Sequence, residues 1–128
     1  MSNVPLKVYI AAAYSAETEE ERKNNTKAVI DSALVLFQKG HFPYIPHLTH
    51  WVDKHAKETK IAMKWKDYMK WHRPWLETCN AFLCLNSSKG ADIELQRAKE
   101  LGKTIFYSIN EVPISAKQKN YKLNKEAL

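Results

Sequence analysis

LKVYIAAA, residues 6 to 13, is a near-continuous apolar run that closes on three small residues. Alternation of polar and apolar side chains would mark a strand with one wet face. Its absence here marks a strand covered on both faces, as in a parallel sheet packed between helices. Lys7 precedes a β-branched segment and not a leucine-rich stretch, so MSNVPLKVYIAAAYS is read as a buried first strand and not as a secretory leader.

Working outward, a helix is expected from about Glu17 to Lys39. Val29, Ile30, Ala33, Leu34 and Phe37 recur at the spacing of one helical face, the acidic run Glu17, Glu19, Glu20 and Glu21 suits the positive helix start, and Gly40 supplies the stop. HFPYIPH reads as a short second strand. Pro43 and Pro46 push it to a sheet edge. Residues 47 to 78 read as mostly helical, with Pro74 starting a new turn or bending the helix. AFLCL, residues 81 to 85, is a third buried strand. A helix from about Ala91 to Leu101 follows, stopped by Gly102. KTIFYS is a fourth strand, and Asn110 to Leu128 is expected to be helical, running into a basic tail from about residue 115. Alternation of strand and helix with short connections predicts an α/β protein: one domain over residues 1 to 128, with a parallel sheet of four or five strands in a flavodoxin/Rossmann-like three-layer arrangement. In such sheets the ligand sits beyond the carboxyl ends of the strands. That brings residues 11 to 15, 47 to 51 and 86 to 94 around one crevice.

Composition narrows the partners. No apolar run approaches the roughly 20 residues that span a bilayer. Cys79 and Cys84 lie five apart, without a metal-binding spacing and too few for a disulfide scaffold, so buried thiols in a cytoplasmic protein are expected. The formal charge of +6 favours an anionic partner, although Lys117, Lys119, Lys122 and Lys125 in the tail contribute much of it. His47, His50 and His55 have a spacing that tempts a zinc reading, but Pro46 disturbs the geometry and no metal is assigned. KWKDYMKWHRPW, residues 64 to 75, interleaves basic and aromatic residues as single-strand nucleic-acid binders do. Trp65, Tyr68, Met69 and His72 recur there at helical spacing, which favours a packed helix face over a nucleic-acid surface. The same aromatic-rich stretch suggests a homodimer, since a small domain buries it poorly alone.

The chemistry concentrates in SSKGADIELQRAKELG, residues 87 to 102. Ser87 and Ser88 offer hydroxyls, Lys89 a charge, and Gly90 close backbone approach, all at a helix start that favours anions. Glu94 lies one turn further in, on the crevice side. An acidic residue there also serves the helix dipole, as Asp92 does. Taken in order, KVYIAA, Asn24 or Asn25 in the long helix, GHFPYIPHLTH (residues 40 to 50), WLETCN (residues 75 to 80) and the run from Ser88 to Glu94 resemble the nucleoside 2-deoxyribosyltransferase-like superfamily, which includes deoxynucleoside 5'-monophosphate N-hydrolases. The resemblance spans roughly residues 6 to 108.

That resemblance implies cleavage of the N-glycosidic bond of a nucleoside or its 5'-monophosphate, by hydrolysis or base transfer, without a cofactor. Glu94 matches the nucleophile and Tyr9 the tyrosine that holds it. Ser88 and Gly90 match contacts to the 5' substituent, and a serine beside Lys89 suits a phosphate. His47 is expected to stack on or hydrogen-bond the base, and Asn25 falls at a matching substrate-side position. Two positions depart from the pattern: Asn80 and His72 stand where many relatives carry acids that touch the sugar or protonate the base. His72 is a candidate general acid in their place. The alternative is a protein that binds nucleotides or single-stranded nucleic acid without cleaving them.

Overall fold

The computed structural model describes residues 4–116. Four strands and four α-helices alternate: β1 (Lys7–Ala11), α1 (Glu19–Gln38), β2 (Phe42–Tyr44), α2 (Thr49–Glu58), α3 (Trp65–Thr78), β3 (Ala81–Cys84), α4 (Lys89–Glu100) and β4 (Thr104–Phe106). Single 3-10 turns cover Pro46–Leu48 and Ile109–Glu111. The sheet is parallel throughout, in the order β2-β1-β3-β4. This is the flavodoxin-like order, and β2, with its Pro43, lies at an edge.

The run that predicted a doubly covered strand is buried on both faces. Successive side chains of a strand point to opposite sides. Val8 and Ile10 therefore enter one core with Val29, Ala33, Leu36 and Leu83, beneath α1. Tyr9 and Ala11 enter the other with Phe82, Leu76, Ala91 and Ala98, beneath α3 and α4. Helix, sheet and helix make three layers. Cys79 and Cys84 are buried free thiols in the second core.

α1 starts at Thr18, whose Oγ1 accepts from the Glu21 amide at 3.1 Å, and Gly40, at φ +93°, turns the chain out of it. Its buried face is Thr26, Val29, Ala33 and Leu36. The expected face is corrected in part: Leu34 and Phe37 point to solvent, because the stripe that meets the sheet lies one position round the helix. Residues 47 to 78 divide into two helices. Between them Lys60 takes a left-handed φ of +59°, which no helix continues through. Pro74 sits inside α3 without ending it.

The expected terminal helix is also corrected within the described residues. After the turn at Ile109–Glu111 the chain runs non-helically past Pro113 to Ser115. Val112 plugs the first core, the Lys39 ammonium donates to the carbonyls of Ile109 and Val112 at 2.9 and 2.8 Å, and His41 Nε2 donates to the Pro113 carbonyl. The basic run of residues 117 to 128 lies outside the described residues. Among the described residues no helix is long and apolar enough to cross a membrane.

Candidate active site

A cavity of about 700 Å³ opens at the carboxyl ends of the strands, within the range of small-molecule sites. Four elements wall it: the β1–α1 loop (Ala12, Tyr14, Ser15), the turn after β2 with α2 (His47, Thr49, Asp53, Lys57), the inner face of α3 (Trp65, Tyr68, Met69, His72) and the start of α4 (Ser88 to Ala91, and Glu94). The periodic residues of α3 do form one face, and that face looks into the cavity. Trp71 and Trp75 stand on the outside, Trp75 stacked on Tyr44 at 5.6 Å.

Glu94 lies one turn into α4, where the helix brings its carboxylate over the sheet. Tyr9, from the middle of β1, is fully buried, and its hydroxyl donates to Glu94 Oε2. Tyr9 is wedged between Tyr44 and Phe82, at ring separations of 5.4 and 5.7 Å, so its hydroxyl has a fixed direction. Burial pushes the Glu94 carboxyl up to about 7, against the Tyr9 hydrogen bond, which favours the ionised form. Burial first, and then the neighbouring Glu94 charge, raise the Tyr9 phenol far above its ordinary value, so Tyr9 remains a donor. The pair is a desolvated carboxylate with one fixed donor, poised near neutrality.

At the start of α4, Ser88 is the N-cap: its Oγ accepts from the Ala91 amide at 3.1 Å, leaving its hydroxyl hydrogen for a ligand. Lys89 lies over the Trp65 ring at 4.9 Å. A Cβ added at Gly90 would meet only Met69 Sδ at 3.6 Å and the Trp65 ring at 3.8 Å, both part of the cavity lining. The fold tolerates a side chain there, and the bare backbone leaves that room to a ligand. Ser87 does not line the cavity. It donates to both Asp92 oxygens, at 2.8 and 2.9 Å, and Asp92 is outside the lining too, as its place on the helix suggested.

His47 and His72 are buried among the lining residues. His47 Nε2 donates to the Ala13 carbonyl at 3.2 Å, while its buried Nδ1 has no partner. Burial lowers its pKa, so Nδ1 is a bare acceptor near neutral pH. His72 Nδ1 meets the Tyr44 hydroxyl at 3.1 Å. Burial, then the nearby His47, pull His72 down to about 4. About one molecule in a thousand carries imidazolium there at pH 7, so the general-acid role expected of His72 does not fit. It is a neutral wall residue that fixes the Tyr44 hydroxyl.

Two further expectations are corrected by position. Asn80 sits at the amino ends of the strands, where its Oδ1 accepts from the Lys7 amide. The length of β3, about 13 Å at ~3.3 Å per residue, separates it from the cavity. Asn25 Nδ2 donates to the Tyr14 carbonyl at 3.1 Å, so it braces the loop that carries Tyr14 and does not itself line the cavity. Tyr14, Thr49, Asp53 and Lys57 were not singled out from the sequence. The last three share one face of α2 at intervals of four, a weak signal because an Asp–Lys pair at that spacing usually lies on a wet surface. No cluster of three metal-ligating side chains occurs among the described residues, and His50 Nδ1 pairs with the Tyr14 hydroxyl at 2.8 Å.

Sheet order and cavity position define a flavodoxin/Rossmann-like α/β protein with its cavity at the topological switch point, where connections leave β1 and β3 on opposite faces of the sheet. The chain belongs to the family described as "Domain of unknown function (DUF7768)", whose model matches residues 6–108. That span contains every residue lining the cavity and stops just before the turn at Ile109–Glu111. No curated protein matches the chain.

Proposed function

We propose that this protein cleaves the N-glycosidic bond of a nucleoside 5'-monophosphate through a covalent glycosyl ester on Glu94. The observation that carries the reading is the Glu94–Tyr9 pair: a half-buried carboxyl held near pH 7 by desolvation, aimed by a rigid phenol, in a nucleotide-sized cavity. A carboxylate oxygen of Glu94 bonds to C1' as the C1'–N bond breaks. The base leaves with the bonding electrons and takes up a proton. Water then releases the sugar and regenerates the carboxylate, or a second base accepts it. Ser88, Lys89 and the free amides of α4 supply an anion site for the 5'-phosphate. His47, anchored through Nε2 to the Ala13 carbonyl, walls the cavity on the side of the β1–α1 loop.

Incubation with nucleosides and their 5'-monophosphates, followed by chromatography, tests this reading. Free base should appear with wild-type protein and fall by orders of magnitude with Glu94→Gln. No release from any of them would leave a nucleotide-binding protein, a reading to which the neutrality of His72 lends some weight. Nucleic-acid binding is the weaker reading, because the aromatic stripe of residues 65 to 72 is committed to the cavity. Exposed Trp71, Trp75 and Phe42 support a homodimer as well. Light scattering at micromolar concentration should give twice the chain mass, and a monomer mass would refute it.

A further inference from the structure

On α2 the cavity carries a second polar feature that the cleavage chemistry does not use. Asp53 lines the cavity, its Oδ1 accepting from the Tyr68 hydroxyl at 3.0 Å and its Oδ2 lying 3.0 Å from the Lys57 ammonium. Its side chain is 22% exposed, against 70% for Lys57. The carboxylate is thus the fixed member of the pair and the ammonium the mobile one. Met63, Trp65 and Met69 line the same cavity, Trp65 and Met69 on the side of Gly90, and give it apolar surfaces that suit a flat ring. Each carboxylate oxygen accepts two hydrogen bonds, so both retain capacity for a donor arriving from the cavity.

Phosphate, sugar and base follow one another along a nucleotide, with C1' between the last two. Given the reading above, phosphate at Ser88–Gly90 and C1' at Glu94 leave the base the part of the cavity walled by α2 and α3. A phosphate at that end would face the Asp53 charge. We infer that Asp53 is the base-reading residue of this site and selects a nucleobase bearing an exocyclic amino group. The amino hydrogens of cytosine or adenine donate to the fixed carboxylate, and Lys57 beside it donates to the adjoining ring nitrogen. In that register the matching oxo bases, uracil and hypoxanthine, put a carbonyl oxygen against the carboxylate and a ring N–H against the ammonium, so both groups of the site meet the wrong partner.

Two matched pairs differ only in that group: the 5'-monophosphates of deoxycytidine and deoxyuridine, and those of deoxyadenosine and deoxyinosine. Titration calorimetry and free-base release are measured with each, using wild type and Asp53→Asn. The variant keeps an acceptor for Tyr68 and offers an amide N–H in place of the second oxygen. Wild type should favour the amino member of at least one pair tenfold or more, and Asp53→Asn should erase or reverse that preference. Comparable affinity for both members of each pair, a ratio unchanged by Asp53→Asn, or no binding of any of the four overturns the inference. Amino-selective binding that depends on Asp53, without release of any base, upholds the base-reading role and instead refutes the proposed cleavage.

Discussion

Replacing Glu94 with glutamine should stabilise the protein at alkaline pH, by an amount the structure sets. The carboxyl is raised from 4.5 to about 7, chiefly by burial. The folded state therefore holds this proton more tightly than the unfolded chain. For this group stability is greatest below about pH 4.5, falls as pH rises through about 7, and is level above that. A shift of that size corresponds to about 3 kcal/mol at ~1.4 kcal/mol per unit, so Glu94→Gln, which does not titrate, should exceed wild type by up to that amount at pH 8. In a chain of this length the gain is on the order of 10 °C in Tm. The amide oxygen still accepts from Tyr9, so the variant loses charge and not packing. Urea unfolding followed by tryptophan fluorescence at pH 5, 6, 7 and 8 measures it. Other titrating groups, including His47 and His72, cancel in the difference between the two proteins. A difference that stays constant from pH 5 to 8, or a variant less stable than wild type at pH 8, would refute the claim that Glu94 is a desolvated carboxylate.

The same raised pKa fixes the pH dependence of turnover: activity needs the carboxylate, so kcat/KM should rise with pH and reach half its plateau near 7. Tyr9→Phe removes the hydrogen bond that favours the ionised form, so this limb should move to higher pH. An unmoved limb in a folded variant would separate Tyr9 from Glu94 chemistry. Ser88→Asp keeps an N-cap acceptor but sets a like charge at the anion site, so KM for a monophosphate should rise at least tenfold, about 1.4 kcal/mol, with KM for the matching nucleoside nearly unchanged. Equal effects on both would show that this loop does not read phosphate.

The sheet was legible because its signal is local. Short, near-continuous apolar runs at residues 6 to 13 and 81 to 85 mark strands covered on both sides, and the prolines around Tyr44 mark an edge. The helix of α4 was legible for a similar reason, although it begins at Lys89 and not at Ala91, because Ser88 caps it and takes Lys89 and Gly90 into the first turn. What failed depended on three-dimensional placement. Leu34 and Phe37 share the apolar character of Val29, Ala33 and Leu36, and only contact with β1 and β3 decides which stripe is buried. Asn80 directly precedes the strand of residues 81 to 85, which by itself places it at the amino end, away from a carboxyl-end site; only the resemblance put it beside the sugar. Asp53 looks like one half of a solvated pair with Lys57 until Tyr68 of α3 takes one of its oxygens.

The claim that Glu94 forms a bond to the sugar is tested most directly by trapping it. A 2-fluoro-2-deoxy nucleoside monophosphate with a good leaving group destabilises the oxocarbenium-like transition states of both steps, and release of the sugar becomes slow enough for the glycosyl ester to accumulate. Intact-mass spectrometry should show wild-type protein heavier by one fluorinated sugar phosphate, and peptide mapping should place it on Glu94. Glu94→Gln should gain no mass, whereas Asp92→Asn should label like wild type. A label on Asp92, Asp53 or Asp67, or base release at the wild-type rate from Glu94→Gln, would contradict the account.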